Sequence, residues 1–342
     1  FHVVPSPQEA KTSLQTVKTA SFFDQERIAM QLDVDMPARI GWSEIDLKIA
    51  RQLAAKTADD PSADLSDSEL KELLLRRGLL WFSPKDEKVY CSPAGILLFA
   101  KDPTEVYPHS CVRLLAFQGV VRDPTPIDYL DLSAPIPTAL ELALRFIDKN
   151  TRHPLRVQGM RRLRLDEYPM AALREALINA MAHRDYEDAS RKIHVEIFSD
   201  RVEIVSPGLL PEGLTLDQLR SGKFQPCSRN PVLAQGLRLL GLMEELGTGV
   251  VRMKQAMRYH GLPAPEYAYR GGHLAVTFHG PGKNLGKLKA NQAVPVFETQ
   301  PSVAETLSQN QKTILKRLLE KNQVQVPELA STLRVTVQAV RK

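Results

Sequence analysis

Apolar residues recur along the chain at two spacings, and the switches between them outline its elements. Residues 1–40 show little periodicity and contain Pro5, Pro7 and Pro37, which predicts a partly extended lead-in. Ser43 precedes Ile45, Leu47, Ile49 and Leu53 as the cap of a first helix. After a polar loop to residue 66, Ser66 or Asp67 caps a second helix carrying Leu70, Leu73, Leu74 and Leu75. Leu79-Leu80 enters a strand, 83–88 is a polar turn, Val89 to Cys91 forms a second strand, and Ser92-Pro93 opens a helix through Leu98.

Beyond residue 110, strands and helices mix. Alternation predicts a strand over 111–119, and three- and four-residue spacing predicts an amphipathic helix over 136–149. Residues 155–165 read as a strand or hairpin. Pro169 stands in the first turn of the next helix, where its missing N–H costs nothing, and that helix runs to about His183. Strands follow over 192–199 and 201–205, helices over 231–246 and 250–259, and a closing hairpin turns at Gly271-Gly272. Residues 281–308 have the composition of a linker. In 309–342, Ile314, Leu315, Leu318 and Leu319 mark one helix, and Leu329, Ala330 and Leu333 a second. Thr336 caps a third helix with Val337 and Val340 inward. The fold class expected is α/β (α+β): a mixed sheet covered by helices over 110–280, a mostly helical region before it over 1–109, and a helical tail.

Composition narrows the class. With 43 % hydrophobic and 25 % charged residues, the chain is globular rather than disordered or collagenous. Charge changes the picture only when it is divided. Residues 283–342 hold ten basic and four acidic residues, a net +6, which leaves −1 for the rest of a chain of formal charge +5. Cys91, Cys111 and Cys227 form no metal knuckle, and so few cysteines point to a reducing cytoplasmic setting. No apolar run reaches the ~20 residues of a membrane helix. The chain starts at Phe1 and ends at Lys342 inside a helical pattern, so it reads as part of a longer protein.

The candidate chemistry lies on the helix from Pro169. Ala172, Leu173, Ala176, Leu177, Ala180 and Met181 form its apolar stripe. Glu175, Asn179 and His183 recur every four residues and stack beside that stripe. Left buried and unpaired, each would cost about 1–3 kcal/mol. A bound metal–nucleotide would supply partners; the plainer alternative is an arginine salt bridge for Glu175 and water for Asn179. Ser206-Pro207-Gly208 ends a strand, and Gly247-Thr248-Gly249 stands before a helix, where backbone N–H groups suit phosphate.

Taken together, LREALINAMAHRDY (173–186), VEIVSPG (202–208), RNP (229–231), LLGLMEELGTG (239–249) and SPAGILLFAKDP (92–103) closely resemble one family. It is the family of RecG-like helicase-related proteins and Schlafen AlbA-domain transcriptional regulators. The resemblance covers roughly residues 75–280 and implies a divergent ATP-binding module of the GHKL superfamily, an α/β sandwich. It implies that Asn179 ligates Mg²⁺ on ATP or ADP and that Glu175 orients an attacking water. Gly208 then borders the adenine, and Gly247, Thr248 and Gly249 form a phosphate lid. The superfamily's adenine-reading Asp is replaced by Ser206. His183 joins the nucleotide site, and Arg184, Asp185, Arg229 and Asn230 are expected at its rim; a helix-end ion pair is the alternative for Arg184 and Asp185. No Gly-x-x-x-x-Gly-Lys-Ser/Thr loop is present, so a helicase motor is excluded.

The segment 66–100 resembles a small winged helix, with a packing connector as the alternative. The tail resembles the helix-turn-helix core of winged-helix regulators. Thr336, Gln338, Arg341 and Lys342 then face DNA, and a protein-interaction module is the alternative. The expected function is a nucleotide-responsive DNA-binding regulator. An ATPase in nucleic-acid processing or defence is the second reading, and a scaffold without nucleotide the third. Expected partners are DNA and a purine nucleotide, with a homodimer left open and no membrane.

Overall fold

The computed structural model describes residues 39–57, 65–83, 86–158, 161–211, 213–244, 247–285 and Leu288, with backbone alone for 156–158 and 161–163. Two compact units divide the chain, Phe1–Ala290 and Asn291–Lys342. The second lies outside the described residues, and with it the predicted helix-turn-helix.

The helical part begins with a short 3₁₀ turn at Trp42–Glu44. Helix α1 (Leu47–Thr57) starts later than the Ser43 cap predicted, because the Asp46 carboxylate accepts the Lys48 N–H while Ile45 bridges Ala100 in extended form. Helix α2 (Asp67–Arg76) is capped by Ser66, which accepts from Glu69 N–H while Glu69 bonds back. Strands β1 (Leu80–Ser83) and β2 (Lys88–Cys91) pair antiparallel, and α3 (Pro93–Phe99) follows with Ser92 as its cap.

The sandwich contains β3 (Val112–Ala116), β4 (Asp128–Leu132), α4 (Ile136–Asn150), the hairpin β5 (Leu155–Gln158) and β6 (Arg161–Arg164), and α5 (Met170–Ala182). Then come β7 (Ile193–Ile197), β8 (Arg201–Pro207), α6 (Leu216–Ser221), α7 (Pro231–Leu239), α8 (Gly249–His260), β9 (Glu266–Arg270) and β10 (His273–His279). Six strands form one sheet in the order β4-β3-β7-β8-β10-β9, parallel between β3 and β7 and antiparallel elsewhere. The expected α/β sandwich with a mixed sheet is therefore present.

The register explains which face is covered. Leu114, Val195, Ile204 and Val276 lie on one face in neighbouring strands, and α4 and α5 pack against it, with α8 beside α5. The opposite face is charged. Glu196 and Glu203 are cross-strand partners there, both buried, and are held by Arg122 on one side and Arg201 and Arg270 on the other. Helix α7 packs on α1, α3 and α5, so the helical region and the sandwich share one hydrophobic core. Helix α7 ends at Leu239, short of the predicted 246, because Gly241 adopts φ +67° and returns its N–H to Arg238.

Candidate functional site

Helix α5 builds the site. Its buried stripe (Ala172, Leu173, Ala176, Leu177 and Met181) holds it against sheet and helices, and this sets the direction of the adjoining polar face. Glu175, Asn179 and His183 all line a cavity of about 310 Å³. The ends of β8, β9 and β10 and the start of α8 enclose it, and Ser206, Gly208, Gly247 and Gly249 line it as well.

Glu175 is not free. Its Oε2 accepts from Arg252 Nη2 at 2.7 Å, and its Oε1 accepts from Asn179 Nδ2 at 3.2 Å. Arg252 reaches it from α8 and pairs with Glu244 as well. The arginine that the plainer reading of Glu175 calls for is thus Arg252. The carboxylate also lies against the first residue of α8: a methyl group on Gly249 would sit 2.1 Å from Oε1. Glycine allows that approach, and the positive end of the helix dipole favours the carboxylate there.

The bond to Glu175 assigns the Asn179 amide nitrogen, so the amide oxygen is left for the cavity. Ser206 Oγ donates to the Ala180 carbonyl at 2.9 Å, which uses its proton and leaves its lone pairs. Gly208 has φ +105°, and a side chain there would meet Asp185 Cβ at 2.9 Å.

The four residues expected at the rim lie outside the cavity lining. Arg184 is buried. It donates to the carbonyls of Arg191 (2.6 Å) and Asp188 (3.2 Å), and its guanidinium lies over the Tyr186 ring. Asp185 pairs with Arg229 at 3.5 Å. Asn230 Nδ2 closes the end of α5 by donating to the carbonyls of Ala182 and Arg184. Thr248 precedes α8 without lining the cavity. Thr336, Gln338, Arg341 and Lys342 lie outside the described residues.

Burial, with a smaller push from Arg229, lowers the His183 imidazole to about 4. The unfolded chain, with histidine near 6.5, takes up a proton that the folded one refuses. This part of the stability is complete above pH 6.5 and is lost as pH falls toward 4. Between pH 7.5 and pH 5 the protein is expected to lose about 1–2 kcal/mol more than His183→Gln does, read as urea midpoints. Equal losses would show that the ring is not shielded.

Arg252 and Tyr267 also line or bound the site, and no sequence motif singles them out. Among the described residues, Asp148, His153 and Asp166 bring potential ligand atoms within 4.8 Å of one another. Arg164 already stands between them as the cation, at 2.5 Å from Asp148 and 3.2 Å from Asp166. No helix among the described residues is long and apolar enough to cross a membrane.

Residues 190–278 match a family model described as "Putative ATP-dependent DNA helicase recG C-terminal". The chain is thus similar there to an ATPase-type region, and the match takes in Ser206, Gly208 and Gly249 while α5 precedes it. Among 12 matching solved chains is the DIP2311 protein from Corynebacterium diphtheriae. It is 24 % identical with a TM-score of 0.56, over 93 % of this chain and 61 % of that one. The likeness is one of fold, and this chain spans about three-fifths of that protein's length. No curated protein matches the chain.

Proposed function

We propose that the chain is a nucleotide-responsive DNA-binding regulator that binds ATP with Mg²⁺ in the cavity on α5 and DNA through residues 309–342. The observation that carries this reading is the convergence of the Asn179 amide oxygen, the Ser206 lone pairs and the N-terminus of α8 on one cavity. Asn179 Oδ1 would hold Mg²⁺, a hard cation suited to an amide oxygen, which when bound neutralises phosphate charge. Backbone N–H groups around Gly247, Thr248 and Gly249 face the phosphates. Ser206, Gly208 and His183 border the base, braced by Arg184, Asp185, Arg229 and Asn230. The GHKL-like, Schlafen-related sandwich spans 110–280 in this reading, and 281–308 tethers a helix-turn-helix. The hold of Arg252 on Glu175 favours binding over turnover, and so the regulator over the ATPase.

Calorimetry on the full chain tests both halves. ATP is expected to bind, more tightly with Mg²⁺ than without; no heat at millimolar ATP would sink the nucleotide reading. For DNA, each phosphate contact contributes about −0.9 to the slope of log K against log salt. The double variant Arg341→Ala, Lys342→Ala is expected to flatten that slope by about two such units. An unchanged slope removes these residues from the interface.

A further inference from the structure

Among the described residues, three side chains of fixed charge line the cavity: Glu175, Glu244 and Arg238. Both carboxylates are taken by Arg252. The Arg238 side chain forms no hydrogen bond or ion pair with any described residue. Two acids therefore share a lining with a guanidinium, and neither pairs with it. His183 lines the cavity too, and its burial keeps it neutral near pH 7, so it adds no second positive charge. Arg238 is thus the lining charge that no described group answers.

Helix α7 fixes where this charge stands. Its N-cap, Asn230, holds the carbonyls that end α5, and the two helices pack together. Ala234 and Arg238, one turn apart on α7, both line the cavity. Helical side chains lean toward the N-terminus of their helix, so Arg238 extends over the turn that Ala234 occupies. Alanine has no bulk to turn it aside. Arg238 is partly exposed, so a ligand in the cavity can reach it. The chain beyond α7 brings Glu244 and Gly247 into the same lining, and Gly249 opens α8 there. A guanidinium and the N-terminus of a helix therefore serve one cavity. The planar fork of N–H donors matches phosphate oxygens in pairs, and the helix start favours the same charge. A neutral ligand would leave both unanswered. The plainer role for Arg238 is that of a cation in the last turn of α7, which suits the helix dipole and asks nothing of the cavity.

We propose that Arg238 is a ligand-binding residue that clamps the phosphate chain of the nucleotide. This rests on the nucleotide reading above and names the side chain that holds its charge. Arg238→Gln and Arg238→Lys test it on the full chain, with calorimetry of ATP–Mg²⁺ and of adenosine, and with melting of the unliganded protein. In Arg238→Gln, ATP affinity is expected to fall about ten- to a hundredfold, the worth of hydrogen bonds between charged groups, while adenosine affinity stays within about twofold. Arg238→Lys keeps the charge without the fork and is expected to lose less. Both variants are expected to melt within a few degrees of the wild type, since no bond to a described residue is removed. A role confined to the helix dipole predicts unchanged ATP affinity instead. That result, equal weakening of ATP and adenosine, a lysine variant as weak as the glutamine one, or a large drop in melting temperature would each overturn the assignment. Failure of wild-type protein to bind either ligand is a different result, and it would overturn the nucleotide reading itself.

Discussion

Replacing Arg252 by glutamine is expected to raise ATP turnover at saturating ATP–Mg²⁺ by about tenfold or more over the wild-type protein. A general base contributes about 10²–10⁴ to rate, but only when its carboxylate is free to turn toward the attacking water. In hydrolysis the water oxygen bonds to the terminal phosphorus, the carboxylate takes its proton, and ADP leaves. Here Glu175 gives one oxygen to Arg252 at 2.7 Å and the other to Asn179 at 3.2 Å. The wild-type protein is therefore expected to hold ATP with turnover near background. Glutamine in place of Arg252 ends the charge pairing and frees Oε2. The change has a cost, since Glu175 is buried and loses a charged partner. That cost is about 1–3 kcal/mol, toward the low end because Arg252 is 41 % exposed and water can replace it. Phosphate release is the readout, and the double variant Glu175→Gln, Arg252→Gln is the control and is expected to be silent. If Arg252→Gln is as silent as the wild type while still binding ATP, Glu175 is no base even when released, and the ATPase reading falls.

The legible and illegible parts of this site differ in how far apart their partners lie. Glu175, Asn179 and His183 share one helix, so four-residue spacing alone places them on one face, and all three line the cavity. Gly208 and Gly249 stand where a strand ends and a helix begins, and the geometry explains both through the absence of a Cβ. Arg252 meets Glu175 across 77 positions of sequence, and no local pattern encodes that pairing. Arg184 and Asp185 are adjacent in sequence, but Arg184 turns into the core, where its Nη2 donates to carbonyls, while Asp185 finds Arg229. The fold shows the same division. Long helices with a regular stripe, such as α4 and α5, were readable. Strand β4, with the sequence DYLDL, was not: it is an edge strand with Tyr129 and Leu130 exposed and two aspartates that serve as ion-pair partners. Helix α6 went unread because it is six residues long, although Thr215 and Gln218 carry a capping box.

Gly95→Ala is expected to destabilise the protein by about 3 kcal/mol, against the direction helix propensity predicts. Gly95 sits in the first turn of α3, where alanine is intrinsically better by about 1 kcal/mol. A Cβ there would lie 1.9 Å from the Leu79 carbonyl oxygen and 3.0 Å from its carbon. That carbonyl is backbone, and it already accepts from Ser92 N–H at 3.1 Å, so it has no rotamer through which to retreat. Overpacking of this kind costs about 1–3 kcal/mol, occasionally more, and a backbone contact belongs at the upper end. Nor is there slack on the far side of α3. On α7, a Cβ at Gly236 would meet Leu98 Cδ1 at 2.4 Å, so the two helices already approach as closely as glycine permits. Urea unfolding reads the effect, and a gain in stability would show that α3 shifts freely. The displacement also has a route to the cavity, because Asn230, the N-cap of α7, holds the carbonyls that end α5. ATP affinity is therefore expected to fall severalfold in Gly95→Ala, although no residue of the cavity lining has changed. Lost stability with full ATP affinity would mean that α7 holds its place without α3, and that the helical region supports the fold but not the site.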